Sequence, residues 1–180
     1  MMNPYVANFR DVGSTINAVS GDEMMREGML FRGGKIEDIH SLEDISSPKS
    51  IVNLRKGADP VYPDVTSIHS PAPDSVEVYD IAQGRNKKWI AETLSMILSA
   101  KEPFPCYIHC AAGKDRTGVI AAAILSILEI DQELIRDEYL LSTGLLQPRL
   151  ISQTLEDLSD KRIYRKLDTQ RLSSTLVKAL

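Results

Sequence analysis

Residues 109–118 read HCAAGKDRTG, and the apolar run VIAAAILSIL follows at once at 119–128. Cys110 and Arg116 stand six positions apart, with Ala111, Ala112, Gly113, Lys114 and Asp115 between them. Small residues and a glycine let a backbone curl until several N–H groups point at one anion. The apolar run predicts that this loop opens a helix, from about Arg116 to Leu128, whose N-terminal dipole and unpaired N–H groups attract negative charge further. The same field favours thiolate over thiol at Cys110. Immediately upstream, Cys106 to His109 has the look of a short strand, so the unit is strand, anion cradle, helix.

Working outward, Met29 to Arg32 and Ser50 to Leu54 are short apolar runs bounded by Gly33–Gly34 and Lys56–Gly57, which predicts two buried strands. Between them Ile36, Ile39, Leu42 and Ile45 recur at helical spacing. Residues 59–74 carry Pro60, Pro63, Pro71 and Pro73, which disfavour helix and leave room for one short strand near Val65 to His69; the segment reads as a mobile lid. Val76 to Ile81 alternates like an exposed strand. Asn86 to Ala100 is amphipathic through Trp89, Ile90, Leu94, Ile97 and Leu98, and Pro103 and Pro105 end it. Helical patterns continue at Gln132 to Ser142, Pro148 to Leu158 and Leu167 to Leu180. Alternating strands and helices, then a helical tail, predict an α/β sandwich around a largely parallel central sheet flanked by helices.

Length and composition bound the rest. The 180 residues suit a single domain over 1–180. Hydrophobic content of 43% with 26% charged residues is ordinary for a soluble chain, and the longest apolar stretch is too short to span a bilayer. The N-terminus lacks the basic flank and apolar core of a secretion signal, and two cysteines suit a reducing compartment, so the expected location is cytoplasmic. A net charge of −4 gives no general attraction for nucleic acid or an anionic membrane. Neither binding to nucleic acid nor stable membrane insertion is expected, and oligomeric state has no signature in the chain.

Cysteine can attack phosphorus to form a cysteinyl-phosphate that water later hydrolyses, which splits one difficult displacement into two easier ones. Arg116 has the planar fork that grips two equatorial phosphate oxygens at once. Thr117 offers a hydroxyl to the thiolate when sulfur leaves, and His109 supports the loop from behind. Ala111, Ala112, Gly113, Lys114, Asp115 and Arg116 form the phosphate-binding stretch. No cofactor or metal is required: Cys106, His109 and Cys110 lack a second ligand pair at metal-binding spacing. Cys106 reads as a core residue, and four strand steps put it roughly 13 Å from Cys110, beyond disulfide reach. Arg10, Asp11, Arg32 and Arg55 read as ion-pair partners that brace the sheet edge and loop.

The string HCAAGKDRTG resembles the signature of the Cys-x5-Arg protein tyrosine phosphatase superfamily. With Asn8 to Gly13, Phe31 to Gly34, Val52 to Arg55 and Asp137 to Ser142, it is similar to the bacterial tyrosine and dual-specificity group with a GKDRTG loop. The resemblance implies the tyrosine phosphatase fold and a metal-independent protein tyrosine or dual-specificity phosphatase. The substrate would be a phosphorylated protein, on phosphotyrosine and also phosphoserine/threonine, or a small phosphate ester or phosphoinositide. It also implies a general acid, for which two carboxylates compete: Asp80, 30 residues before Cys110, and Asp115 inside the loop, the favoured one. Ala111 and Ala112 stand where phosphoinositide-directed relatives carry a further basic residue, which weighs against inositol polyphosphates. The alternative is a catalytically inactive module that only binds phospho-ligands.

Overall fold

The computed structural model describes residues 5–72 and 77–178. Five strands form one sheet: β1 (Arg10–Asp11), β2 (Leu30–Gly33), β3 (Ser50–Asn53), β4 (Thr66–His69) and β5 (Cys106–His109), in the order β1-β2-β5-β3-β4. All neighbouring pairs are parallel except β1 with β2. The register sets Gly33, His109 and Asn53 side by side, so three parallel strands end together. In an open parallel sheet that edge is where ligands bind.

Side chains alternate across this sheet as strand geometry demands. Phe31, Tyr107 and Ile51 share a row and pack on one face with Val6, Ile36 and Ile45, covered by loops and the 3-10 turn Leu42–Ile45. Leu30, Val52, Cys106 and Ile108 belong to the other face. The larger core lies there and takes buried residues from all six helices: α1 (Val12–Ser20), α2 (Gly84–Ser99), α3 (Asp115–Ile127), α4 (Gln132–Leu140), α5 (Pro148–Leu158) and α6 (Thr169–Leu176). The helical flank is therefore one-sided. Every residue of α3 from Thr117 to Leu125 is buried, so this helix is apolar all round because other helices surround it. No helix among the described residues is long and apolar enough to cross a membrane.

Three sequence expectations differ from the structure. The Ile36, Ile39, Leu42, Ile45 pattern is no helix; the four residues pack through turns and one 3-10 turn, since a spacing of three or four also suits a chain folded back on an apolar sheet face. Within Val76 to Ile81, Val76 lies outside the described residues, and Glu77–Tyr79 is a 3-10 turn with Val78 and Tyr79 buried. Asp11 makes no ion pair among the described residues: it caps α1, accepting from the N–H groups of Gly13 and Ser14, and also from Gly28.

Candidate active site

The loop 110–114 joins β5 to α3, and each carbonyl from Ala111 to Lys114 has a donor. Ala111 O accepts from Lys35 N–H at 3.1 Å and Ala112 O from Asn8 Nδ2 at 2.8 Å. The Arg32 guanidinium donates to Gly113 O at 3.1 Å and Lys114 O at 3.3 Å. With the carbonyls held by these donors, the N–H groups are left to line the turn, the arrangement of an anion nest. Gly113 has φ +68, and a Cβ there would sit 2.2 Å from the Gly33 carbonyl carbon. Only glycine meets both conditions.

Cys110 sits at the mouth of this turn with 2% of its surface exposed. Burial alone would push its thiol up; the Thr117 hydroxyl, the Thr117 N–H, the Arg116 charge and the Lys114 N–H outweigh it and hold the thiol below its ordinary value. Thr117 Oγ1 is buried, and its hydroxyl is the side-chain group that lowers the Cys110 thiol. Cys106 shows the contrast: on the wholly buried strand its thiol is pushed up to about 12 by burial, partly offset by Ser50. Both cysteines are free.

Arg116 has no carboxylate partner among the described residues. One terminal nitrogen donates to Leu54 O at 3.3 Å, and its Nε is buried without a hydrogen-bond partner. A buried unpaired donor is costly, and a tetrahedral anion in the nest would satisfy it. Lys114 is committed elsewhere: its ammonium donates to Leu145 O and stands 3.5 Å from Asp115 Oδ2.

His109 is fully buried, and its Nε2 lies 2.6 Å from Asp59 Oδ2. Against an ionised carboxylate Nε2 carries the proton. Tyr107 stacks on the imidazole with centroids 5.5 Å apart. Asp59 Oδ1 accepts from Arg55 at 3.0 Å, and Arg55 also meets Glu37. Asp59 belongs to the proline-rich segment expected to be a lid. Its side chain is buried against His109 on the strand that carries the loop, and residues 73 and 74 of the segment lie outside the described residues.

The two acid candidates part company. Asp115 opens α3, and its Oδ1 accepts from the Tyr79 hydroxyl at 2.7 Å. Asp80 is exposed and accepts from Gln83 Nε2 at 2.8 Å; no described hydrogen bond links it to the loop. Three of the four stretches, Asn8 to Gly13, Phe31 to Gly34 and Asp137 to Ser142, meet at one carboxylate. Glu138 takes Arg10 at 2.7 Å and Arg32 at 2.6 Å, and Asn8 bridges Ala112 O to Thr143 N–H. Sequence reasoning did not single out Asp59, Tyr79 or Tyr139 for the site. Nothing in their spacing marks them, since each reaches it from a separate segment.

A lowered thiol at the end of a parallel strand, a curled loop and an arginine with no carboxylate partner among the described residues, at the start of a buried helix, make up the candidate site. The chain belongs to the tyrosine phosphatase family, which it matches over residues 3–179. No curated protein sequence matched it. Among solved structures it is similar to the core catalytic domain of the PP-IP phosphatase SIW14 from S. cerevisiae in complex with citrate. There the TM-score is 0.61 with 20% identity, covering 82% of this chain and 93% of that one. It is also similar to OH1 from the Orf virus, described as a tyrosine phosphatase with triple substrate specificity, at TM-score 0.50 and 18% identity, covering 76% of this chain and 86% of that one. At such identities the likeness establishes the fold.

Proposed function

We propose that the chain is a phosphomonoester hydrolase that works through a cysteinyl-phosphate, with phosphotyrosine as its first expected substrate and phosphoserine/threonine or phosphoinositide as further ones. The observation that carries this reading is the lowered thiol of Cys110 beside the unpaired Nε of Arg116 at one anion nest. In the first step the Cys110 sulfur bonds to phosphorus as the ester P–O bond breaks, and Asp115 gives its proton to the leaving oxygen. In the second, Asp115 takes a proton from water as the new P–O bond forms and sulfur leaves, stabilised by the Thr117 hydroxyl. Arg116 and the loop N–H groups hold the equatorial oxygens in both steps. His109 and Asp59 fix the base of the loop.

The neighbour SIW14 acts on a PP-IP substrate, whereas this loop offers Ala111 and Ala112, both exposed, and a lysine spent on Leu145 O. Less highly charged monoesters fit that environment better. The direct test is aryl phosphate hydrolysis in excess chelator with vanadate as inhibitor. The reading predicts vanadate-sensitive turnover that Cys110→Ser abolishes while phosphate-analogue binding survives. Analogue binding by the wild type with no turnover would leave a phospho-ligand binding module instead.

A further inference from the structure

Tyr79 ends the 3-10 turn Glu77–Tyr79, one residue before Asp80, and is buried. The turn is clamped from two sides. Asn86 Nδ2 on α2 donates to the Glu77 and Asp80 carbonyls, and the Thr154 hydroxyl on α5 donates to Tyr79 O at 2.8 Å. From there the Tyr79 hydroxyl reaches Asp115 Oδ1 at 2.7 Å. Its oxygen also lies 2.8 Å from the Tyr139 hydroxyl, whose oxygen accepts from Gln147 N–H at 3.0 Å.

Proton counting gives this chain a direction. A phenol has one proton, and a carboxyl oxygen that carries none only accepts. With the Tyr79 O–H directed at Asp115 Oδ1, the bond between the phenols uses the Tyr139 proton, which leaves the Tyr139 oxygen free to accept from Gln147. Every group is then satisfied, from Gln147 N–H through Tyr139 and Tyr79 to Asp115. Burial, with the bonds to Tyr139 and Asp115, pushes the Tyr79 phenol far above its ordinary range, so it stays a donor at all working pH.

We propose that Tyr79 is a positioning residue for the Asp115 carboxyl and that Tyr139 holds Tyr79 in its donating orientation; this rests on the hydrolase reading above. The geometry separates the two carboxyl oxygens. Oδ1 is fixed by Tyr79, whereas among the described residues Oδ2 has only the Lys114 ammonium at 3.5 Å, beyond the usual hydrogen-bond distance. Oδ2 is the oxygen left to hand its proton to the leaving group and later to take one from water. Tyr79 keeps its own proton throughout.

The test is Tyr79→Phe, alone and with Asp115→Asn, assayed on an activated aryl phosphate and on an alkyl phosphate such as a phosphoserine peptide. Loss of a hydrogen bond to a charged group predicts about a tenfold fall in kcat/KM on the alkyl ester, the parameter that reports steps up to departure of the leaving group. On the activated ester, whose leaving group needs no proton, the fall is expected within about twofold. In the Asp115→Asn background, Tyr79→Phe should add nothing. Equal losses on both esters, or a full further loss in that background, would mean a structural role and overturn the proposal. Tyr139→Phe, which leaves the Tyr79 bond in place, should show the same selective pattern at about threefold; a wild-type profile there overturns the directed chain, and either result decides the matter if Tyr79→Phe does not fold. If the wild type hydrolyses neither ester, the hydrolase reading has failed and this proposal with it. A wild type active on both esters isolates the proposal.

Discussion

Arg32 and Glu138 form an ion pair of 2.6 Å between side chains that are 1% and 2% exposed, and the same guanidinium holds two carbonyls of the Cys110 loop. Arg32 lies on the helical face of β2, two residues beyond Leu30, and that places it against α4. The loop is thus tied through one arginine to a helix that follows it in the chain.

Removing one partner of a buried pair leaves the other charge uncompensated, and here two arginines share one carboxylate. Glu138→Gln is expected to lower unfolding stability by about 3–5 kcal/mol in urea titrations. A loss below about 1 kcal/mol would show that the arginines find other partners.

Cys110 is held below an ordinary thiol, so its reactive thiolate is lost only as pH falls through that lowered value. The iodoacetamide alkylation rate should therefore reach its plateau with a midpoint below the free-thiol value of about 8.5. Thr117→Val should move the midpoint up. Cys106, pushed to about 12, should remain unlabelled in the native protein. A midpoint at the free-thiol value would contradict the assigned environment.

Burial raises Asp59, but its bonds to His109 and Arg55 prevail and its carboxyl is depressed overall. A depressed carboxyl contributes stability that is fully present above its unfolded value of about 3.9 and is lost as pH falls through the folded one. The stability gap between wild type and Asp59→Asn should accordingly be flat near neutrality and close below about pH 4. Urea midpoints across the acid range check this, and a gap that widens in acid would reverse the sign.

Asp115 and Asp80 differ in reach. Asp115→Asn should cut kcat/KM for a phosphoserine peptide by about 100-fold or more and that for an activated aryl phosphate far less. Asp80→Asn should leave both rates within about twofold of wild type. The opposite pattern in steady-state kinetics would move the acid role to Asp80.

The parts of the site that lie within one stretch were legible in the sequence. Cys110 to Thr117 announces a nest, a fork and a helix start through residue type and spacing, and the strands at 30–33, 50–53 and 106–109 follow from apolar runs between glycines and prolines. What was illegible is held by contacts over long sequence distances. Asp59 reaches His109 across 50 residues and Tyr79 reaches Asp115 across 36, and no periodicity encodes such pairs. The 3-10 turn at Glu77–Tyr79 was misread as an exposed strand because its alternation of acidic and apolar residues has the period of a strand while burying Val78 and Tyr79.

The central claim is that Cys110 carries the phosphoryl group, and trapping tests it most directly. Acid quenching during turnover of an aryl phosphate, followed by peptide mass spectrometry, should find phosphate on the peptide containing Cys110 and nothing on the Cys110→Ser protein. Turnover with no adduct at Cys110, or with phosphate on another residue, would contradict the account.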